Sequence, residues 1–468
     1  NADGPAALFM LPRPRVFKDN ASYKFRSTAA GELPTDQDLY RVITVGIPGS
    51  AMPGFPSITE QGRWDLVEYI KSLSEDFTDE DMVEAAVVMP ELAGEVAVPE
   101  FSEERLANGK KLYETNQCGK CHGTLGRGNG SSYNELKDDW KNPILPANLT
   151  NPETLRNGAT VQDIYRTIST GLNGSPMPSY ADSIAVDERW DLAYYVLSLG
   201  PGNNEKRADV IKAHRVEALP KDDGDEAWSA APIARLKTAP NVIEPPRLFW
   251  PSIEYVRAQA FYTDTEVALR IQWDDRSKGK GTNTSTVYED RDGKIYASTD
   301  HPDQFGVQFP AKQKDPSKRP YFLYGDGKRP VNLWWWRSDK GTFSERNAKG
   351  FSNMRDQPER SQTVMGRISY TDGRYTMVVR RTLTTDDHKR DVQFEAGSFV
   401  PISFHALDGD RGEVGLRGAM TTWYWLHLKP QISERTKQVP YFAFALSLFL
   451  LLVIGRTVRR SVASSEDA

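Results

Sequence analysis

The sequence predicts a multidomain protein: α-helical units first, then a β-rich sandwich or barrel, then one C-terminal transmembrane helix. Three observations predict it. Before residue 200, apolar residues fall at helical spacing around two loops rich in glycine and proline. After residue 225, they alternate with polar residues between Asp-Gly turn pairs. From Val439 to Gly455 the chain is strongly apolar and carries no charge. At 468 residues there is length for about three domains.

The helical part contains an internal repeat. Asp38-Leu-Tyr40-Arg41 through Gly46 to Met52-Pro53-Gly-Phe55 corresponds to Asp163-Ile-Tyr165-Arg166 through Gly171 to Met177-Pro178-Ser-Tyr180, at a constant offset of 163 − 38 = 125 residues. Arg63-Trp64-Asp65-Leu66 and Arg189-Trp190-Asp191-Leu192 match at 189 − 63 = 126. Residues 1–75 therefore read as the back part of a unit whose complete copy is 101–200. Sliding the repeat forward aligns Asp3-Gly4 with Asn129-Gly130, so the front of the first unit is expected upstream of residue 1. A unit that lost its haem and kept its fold is the other reading; the preserved loop around Met52, Gly46 to Phe55, favours the former. Residues 76–100 read as a linker with one short helix, its acidic run a solvated face.

Both cysteines of the chain stand in Cys118-Gly-Lys-Cys121-His122. Two thiols so spaced meet the two vinyl groups of a c-type haem, and the adjoining imidazole ligates the iron. A disulfide is one alternative. Zinc is another, but it would want a fourth ligand at recognisable spacing, and none stands close. Met177 lies between prolines in a glycine-bearing loop, a poor place for core filler, and is the expected sixth ligand. Histidine plus methionine closes both axial positions and suits electron transfer.

With both motifs in view, residues 100–200 resemble a class I cytochrome c domain. A helix is expected from Ser102 to Thr115, with Leu106, Leu112 and Tyr113 as apolar contacts, and another from Asp187 to Leu197. In that family the second packs across the first near the haem edge. The repeat extends the expectation to a second haem c with Met52 as its iron ligand, the attachment motif lying just upstream of residue 1.

Composition excludes several classes. With 59 basic and 64 acidic residues there is no basic footprint for nucleic acid, so protein partners are expected. Two cysteines, both claimed by haem, leave none for an iron–sulfur cluster, and any cluster or metal catalyst must sit in another chain. No nucleophile or acid–base pair stands out, so the chain reads as an electron-transfer subunit of an oxidoreductase complex rather than its catalytic subunit. Covalent haem attachment takes place outside the bacterial cytoplasmic membrane, which predicts a periplasmic location.

Residues 201–224 are polar and read as a linker, and 225–430 as the β-rich domain. Val267, Leu269, Ile271 and Trp273 alternate with Ala268, Arg270 and Gln272, the pattern of a half-buried strand. Asp292-Gly293, Asp326-Gly327, Asp372-Gly373 and Asp408-Gly409 are expected turns. In order along the chain, Ile271–Asp275, Asp303–Pro310, Gly325–Trp336, Gly366–Leu383 and Phe404–Gly409 together resemble the haem-binding domain of the ethylbenzene dehydrogenase γ-subunit family. The resemblance implies an electron-transfer subunit of a periplasmic molybdoenzyme of nitrite/nitrate oxidoreductase type, beside molybdopterin and iron–sulfur subunits. It also implies a haem b held between a methionine and a lysine. Where that pair is sought stand Leu323-Tyr324-Gly325 and Gly415-Leu416-Arg417-Gly418, and arginine is not a ligand. Met354, Met365, Met420, His405 and His427 are further candidates, His405 reading as a core histidine. A haem b and a docking scaffold both stay open for this domain. Trp334–Trp336 and Trp423–Trp425 suit a haem wall or a sheet core alike.

The apolar run spans roughly 25 Å at about 1.5 Å per residue, which makes 438–456 the expected transmembrane helix once its flanks are added. Arg456, Arg459 and Arg460 follow it, so the tail at 457–468 is placed in the cytoplasm and the haem domains on the periplasmic side of a single-pass anchor. The whole reads as a membrane-anchored cytochrome that passes electrons between a periplasmic redox complex and a respiratory carrier such as a soluble cytochrome. Two other readings stand beside it: a cytochrome subunit of a quinol-oxidising cytochrome b complex, and an assembly or docking module with tethered cytochromes.

Overall fold

The computed structural model describes residues 2, 4–7, 10, 14–18, 23–94, 97–139, 141, 144–279, 286–289, 295–298, 301–312, 318–431 and 434–466. Its helices are α1 (Asp36–Val45), α2 (Glu60–Lys71), α3 (Glu80–Ala85), α4 (Glu103–Thr115), α5 (Gly119–His122), α6 (Val161–Thr170), α7 (Val186–Ser198) and α8 (Glu434–Glu466).

The repeat starts at the helix caps. Thr35 and Thr160 each accept from the backbone amide three residues on, while Asp38 and Asp163 reach back to the cap amide, so α1 and α6 begin with the same capping box. Each helix ends on a glycine at positive φ, Gly46 at 73° and Gly171 at 67°. Tyr40 stacks on Trp64 at 4.3 Å, as Tyr165 stacks on Trp190 at 3.8 Å. The second unit has the larger core, with Tyr113, Ile164, Ile168 and Leu192 around Trp190. The first gathers Tyr23, Leu39, Ile43 and Val67 and leaves Val45, Phe55 and Tyr69 exposed.

In the second unit, α4 and α7 cross at Gly109. A Cβ there would come within 2.0 Å of the Asp191 carbonyl oxygen, so only glycine lets the backbones approach. Arg105 and Asn108 both bond the Asp191 carboxylate, at 2.5 and 2.7 Å, and hold the crossing from the side.

Beyond residue 204 the chain builds two sheets packed face to face, beside a separate two-stranded ladder of Thr286–Glu289 with Ile295–Ser298. One runs in the order Met365–Thr371, Arg374–Thr382, Glu266–Asp274, Tyr255–Tyr262, Val210–Arg215, Tyr424–Leu428. The other runs Arg355–Asp356, Phe343–Ala348, Val331–Arg337, Gln304–Pro310. The strand Phe399–Leu407 belongs to both. Its first four residues pair with Tyr424–His427 and its last five with Gln304–Gln308. Trp273 of one sheet stacks on Phe305 of the other at 4.1 Å, and Trp334 and Trp336 join the same interior while Trp335 points to the opposite face. The tryptophan run is thus mainly sheet core.

Several expectations change here. Strands already begin at Glu205 and Val210, inside the stretch read as a linker at 201–224. Ile211 and Ala213 face the interior, but Lys212, His214 and Arg215 dilute the pattern. Glu266–Asp274 separates two buried faces rather than core from solvent, because Ala268 packs with Trp228, Phe261 and Val378. Asp372-Gly373 is the hairpin turn expected, with φ of 48° and 76°. Asp326-Gly327 lies in a longer loop, Asp408-Gly409 ends the shared strand, and Asp292-Gly293 lies outside the described residues. The segment Gln438–Arg456 of α8 is long and apolar enough to cross a membrane and is fully exposed. The helix continues to Glu466 rather than ending with the apolar run.

Candidate functional site

The Cys118–His122 segment hangs from the end of α4. The Cys118 amide donates to Tyr113 O at 3.1 Å, and the amides of Cys121 and His122 both donate to Cys118 O, at 3.3 and 3.0 Å. That single turn sets residues i, i+3 and i+4 on one side, which brings both thiols and the imidazole together. The Tyr113 hydroxyl donates to Gly123 O at 2.7 Å and closes the turn. His122 Nδ1 lies 3.0 Å from the carbonyl oxygen of Ala147, so in the tautomer that donates there Nε2 keeps its lone pair. Burial lowers the His122 pKa and keeps the ring neutral, the form that ligates metal. Burial also pushes the Cys118 thiol up to about 11, far from the reactive thiolate.

The Met177 loop is built from backbone bonds. The Leu172 amide donates to Met177 O at 3.0 Å, the Ser175 hydroxyl to Leu172 O at 2.6 Å, and the Tyr180 amide to Ile168 O at 3.0 Å. The Met52 loop repeats each bond: Ile47 to Met52 O at 3.0 Å, Ser50 to Ile47 O at 2.7 Å, Phe55 to Ile43 O at 3.0 Å. Spacing in the sequence has become identity of geometry.

Cys118, Cys121, His122 and Met177 all line one cavity of about 1690 Å³. This exceeds the roughly 300–1,000 Å³ usual for one small-molecule site. The first unit contributes Val16, Lys24 and Gly49–Ala51 to its wall, although Met52 itself is not among the lining residues. The sheets contribute Arg247, Trp250, Arg276 and Arg411. Cations outnumber the acidic lining residues Asp138, Glu254 and Glu413. Burial, with Arg15 and Arg156 nearby, brings the Lys24 pKa down to about 7. Two thiols, a neutral imidazole, a thioether, apolar walls and an excess of cations fit a covalently attached haem with its two propionates. The basic wall from the sheets had no signal in the sequence, since those arginines form no motif and lie more than 120 residues beyond Cys121.

Asp274 joins the second helical unit to the sandwich. It accepts from Asn148 at 2.9 Å, Thr150 at 3.2 Å, Arg257 at 3.1 Å and Arg374 at 2.7 Å. The two arginines hold its carboxyl well below the usual range despite full burial. Arg235 and Glu153 form a second link across the same joint.

The residues present do not fit a haem b between the two stretches compared with its ligands. Tyr324 stacks on His405 at 4.3 Å, and its hydroxyl donates to Gly415 O at 3.2 Å, so the two stretches touch directly. Phe351 and Trp335 pack against the Tyr324 ring, with centroids at 5.4 and 6.1 Å. Arg417 instead lines the large cavity. His405 is a core residue, its Nε2 3.2 Å from Gln308 Oε1. Met420 is buried, Met354 half-buried beside Arg346, Met365 exposed, and His427 stacks on Phe399.

Comparison with known proteins divides the chain in the same way. Residues 106–200 match the family model described as Cytochrome c, and 225–364 that described as Ethylbenzene dehydrogenase. A Haloferax mediterranei open reading frame product, proposed to be a respiratory nitrate reductase heme subunit, is 28% identical over 242 residues, 51% of this chain and 80% of that one. A chain of a reducing HAO-like protein complex from Kuenenia stuttgartiensis is 41% identical, covering 43% of this chain and 87% of that chain, with a TM-score of 0.40. A family 9 carbohydrate binding module of Caldicellulosiruptor kristjanssonii is 7% identical, covering 48% of this chain and 98% of that chain, with a TM-score of 0.26. This chain contains a cytochrome c region followed by an ethylbenzene dehydrogenase-like region.

Proposed function

We propose that this chain is a haem-bearing electron-transfer subunit of a respiratory complex of nitrate reductase type. The observation that carries the reading is the convergence of Cys118, Cys121, His122 and Met177 on one cavity. The family matches and the curated relative support it.

When bound, a c-type haem here would supply reversible one-electron transfer, with His122 and Met177 as the residues that would hold its iron. The residues around it bind and orient. Cys118 and Cys121 anchor the macrocycle, and His122 ligates through Nε2 with its ring fixed by the Ala147 carbonyl. Met177 ligates from a loop that its own hydrogen bonds hold in place. The basic residues of the sandwich that line the cavity, Arg247, Arg276, Arg411 and Arg417, would offset the charge of the haem propionates.

The Met52 loop takes the same part for a second haem c, supported by its duplicated bonds. The sandwich serves as wall and docking scaffold; the packing of Tyr324 against Gly415 argues against a haem b between them. We place the chain in the bacterial cytoplasmic membrane through Gln438–Arg456, with its haem on the periplasmic side and α8 ending in the cytoplasm. Its electrons pass between iron–sulfur and molybdopterin subunits and a soluble cytochrome.

A pyridine haemochrome spectrum of the natural gene product, with acid–acetone extraction, tests the reading. Two covalent c haems and no extractable haem are expected. Absence of covalent haem would overturn it, and extractable haem b would restore a haem role to the sandwich.

A further inference from the structure

Three aspartates end three different strands on the rim of the sandwich. Asp275 follows Glu266–Asp274, Asp303 precedes Gln304–Pro310, and Asp408 follows Phe399–Leu407. They are 3%, 1% and 2% exposed. One carboxylate oxygen of each lies within 4.8 Å of the others. Among the described residues, none of the three forms an ion pair. The contrast with Asp274 is informative, because that carboxylate, one residue away, is met by Arg257 and Arg374.

A second observation concerns Asp275 alone. Its Oδ1 accepts the Ser277 amide at 3.3 Å, but Oδ2, though buried, has no hydrogen-bond partner. Asp303 is held by the amides of Gly279 and Gly409, at 2.6 and 2.9 Å, and by the Tyr375 hydroxyl at 2.7 Å. Asp408 Oδ1 accepts the Arg411 amide at 3.2 Å. These bonds orient the carboxylates and supply no countercharge; Arg411 and Arg276 act on Asp408 through their charge, without an ion pair among the described residues.

We propose that Asp275, Asp303 and Asp408 form a site for a hard divalent cation of the calcium class. The donors are all oxygen, with no thiol or imidazole among them, which suits calcium rather than zinc or copper. Oxygens sharing one calcium ion at about 2.4 Å can stand up to about 4.8 Å apart, and the three carboxylate oxygens lie within that limit. A cation offsets the repulsion of three buried like charges and satisfies the bare oxygen of Asp275. The site sits at the joint with the cytochrome c region: Tyr370, which donates to Asp275 O at 3.2 Å, precedes the Asp372-Gly373 turn. At that turn a Gly373 Cβ would meet Asn129 within 2.6 Å. The cation therefore braces the sandwich where it meets the helical unit, independently of any haem.

The test uses the full chain with its haem. After treatment with EGTA and dialysis, Ca²⁺ alone is titrated by calorimetry, and the melting temperature is followed by tryptophan fluorescence. One site per chain and a Ca²⁺-dependent rise in melting temperature are expected. Asp275→Asn leaves the fold intact, because Oδ2 bonds nothing in the chain, and weakens Ca²⁺ binding ten-fold or more. Asp303→Asn does the same; if it fails to fold, Asp275→Asn decides. No calorimetric site, a melting temperature indifferent to Ca²⁺, or unchanged binding by folded Asp275→Asn would each overturn the proposal.

Discussion

The guanidinium of Arg41, on the first helical unit, lies 2.6 Å from the carboxylate of Asp163 on the second. It also donates to Asn157 at both its side-chain and main-chain oxygens, at 3.0 and 2.8 Å. Since Asp163 is the residue that closes the cap of α6, one unit is fastened to the cap of the other. Arg41→Ala should destabilise the docking of the units by about 1–2 kcal/mol, the two hydrogen bonds adding to a partly exposed ion pair. A double-mutant cycle with Asp163→Asn, read by urea unfolding, checks it. A coupling energy near zero would show that the contact is incidental.

Gly109→Ala places a methyl group against the Asp191 carbonyl where α4 crosses α7. The helices must part, at a cost of about 1–3 kcal/mol. Thermal melting of the haem-loaded chain should show the loss, with a weakened Arg105–Asp191 pair behind it. Wild-type stability in the variant would mean that the crossing is looser than the structure shows.

Met177→Ala should keep one covalent haem per chain at Cys118 and Cys121, since the thiols are untouched. The visible spectrum should lose the six-coordinate low-spin form of that haem, and its reduction potential should fall, because the methionine ligand raises it. Met52→Ala should alter a separate potential and leave the first alone. A spectrum unchanged by Met177→Ala would remove that residue from the iron.

His405 carries an acid sensitivity. Burial lowers its pKa from 6.5 to about 3. The unfolded chain takes up the proton near pH 6.5 and the folded chain only near pH 3, so stability falls as pH drops through that window. The loss approaches roughly 5 kcal/mol at the acid end. His405→Gln should flatten this slope between pH 6.5 and 4 in denaturant titrations of the sandwich. An equal slope in variant and wild type would assign the acid sensitivity to other groups.

Ending the chain after Lys429 removes α8 entire. The shortened protein should leave the membrane fraction and keep its haem spectrum, as no residue of α8 lines the cavity among the described residues. Persistence in washed membranes would mean that another surface does the anchoring.

Legibility in the sequence followed distance along the chain. Cys118, Cys121 and His122 act within one turn, so spacing alone brings them together. The Met52 and Met177 loops were legible for the same reason, each being closed by bonds within about a dozen residues. The strand Val210–Arg215 was hidden because three of its six residues are basic and it draws its order from parallel neighbours elsewhere in the sheet. The filling of the space beside His405 was hidden too. Tyr324 and Gly415 are 91 residues apart, and only the assembled sheet reveals that they touch.

The cavity's wall comes from stretches made at very different times. Cys118 and Met177 precede Arg247, Arg276 and Arg411 along the chain, and those arginines lie in the segments that connect the strands of the sandwich. Domains fold in the order they are made. Because the sandwich supplies part of the wall, a haem joined to Cys118 and Cys121 would be seated most readily before the sandwich closes over the cleft: attachment before enclosure.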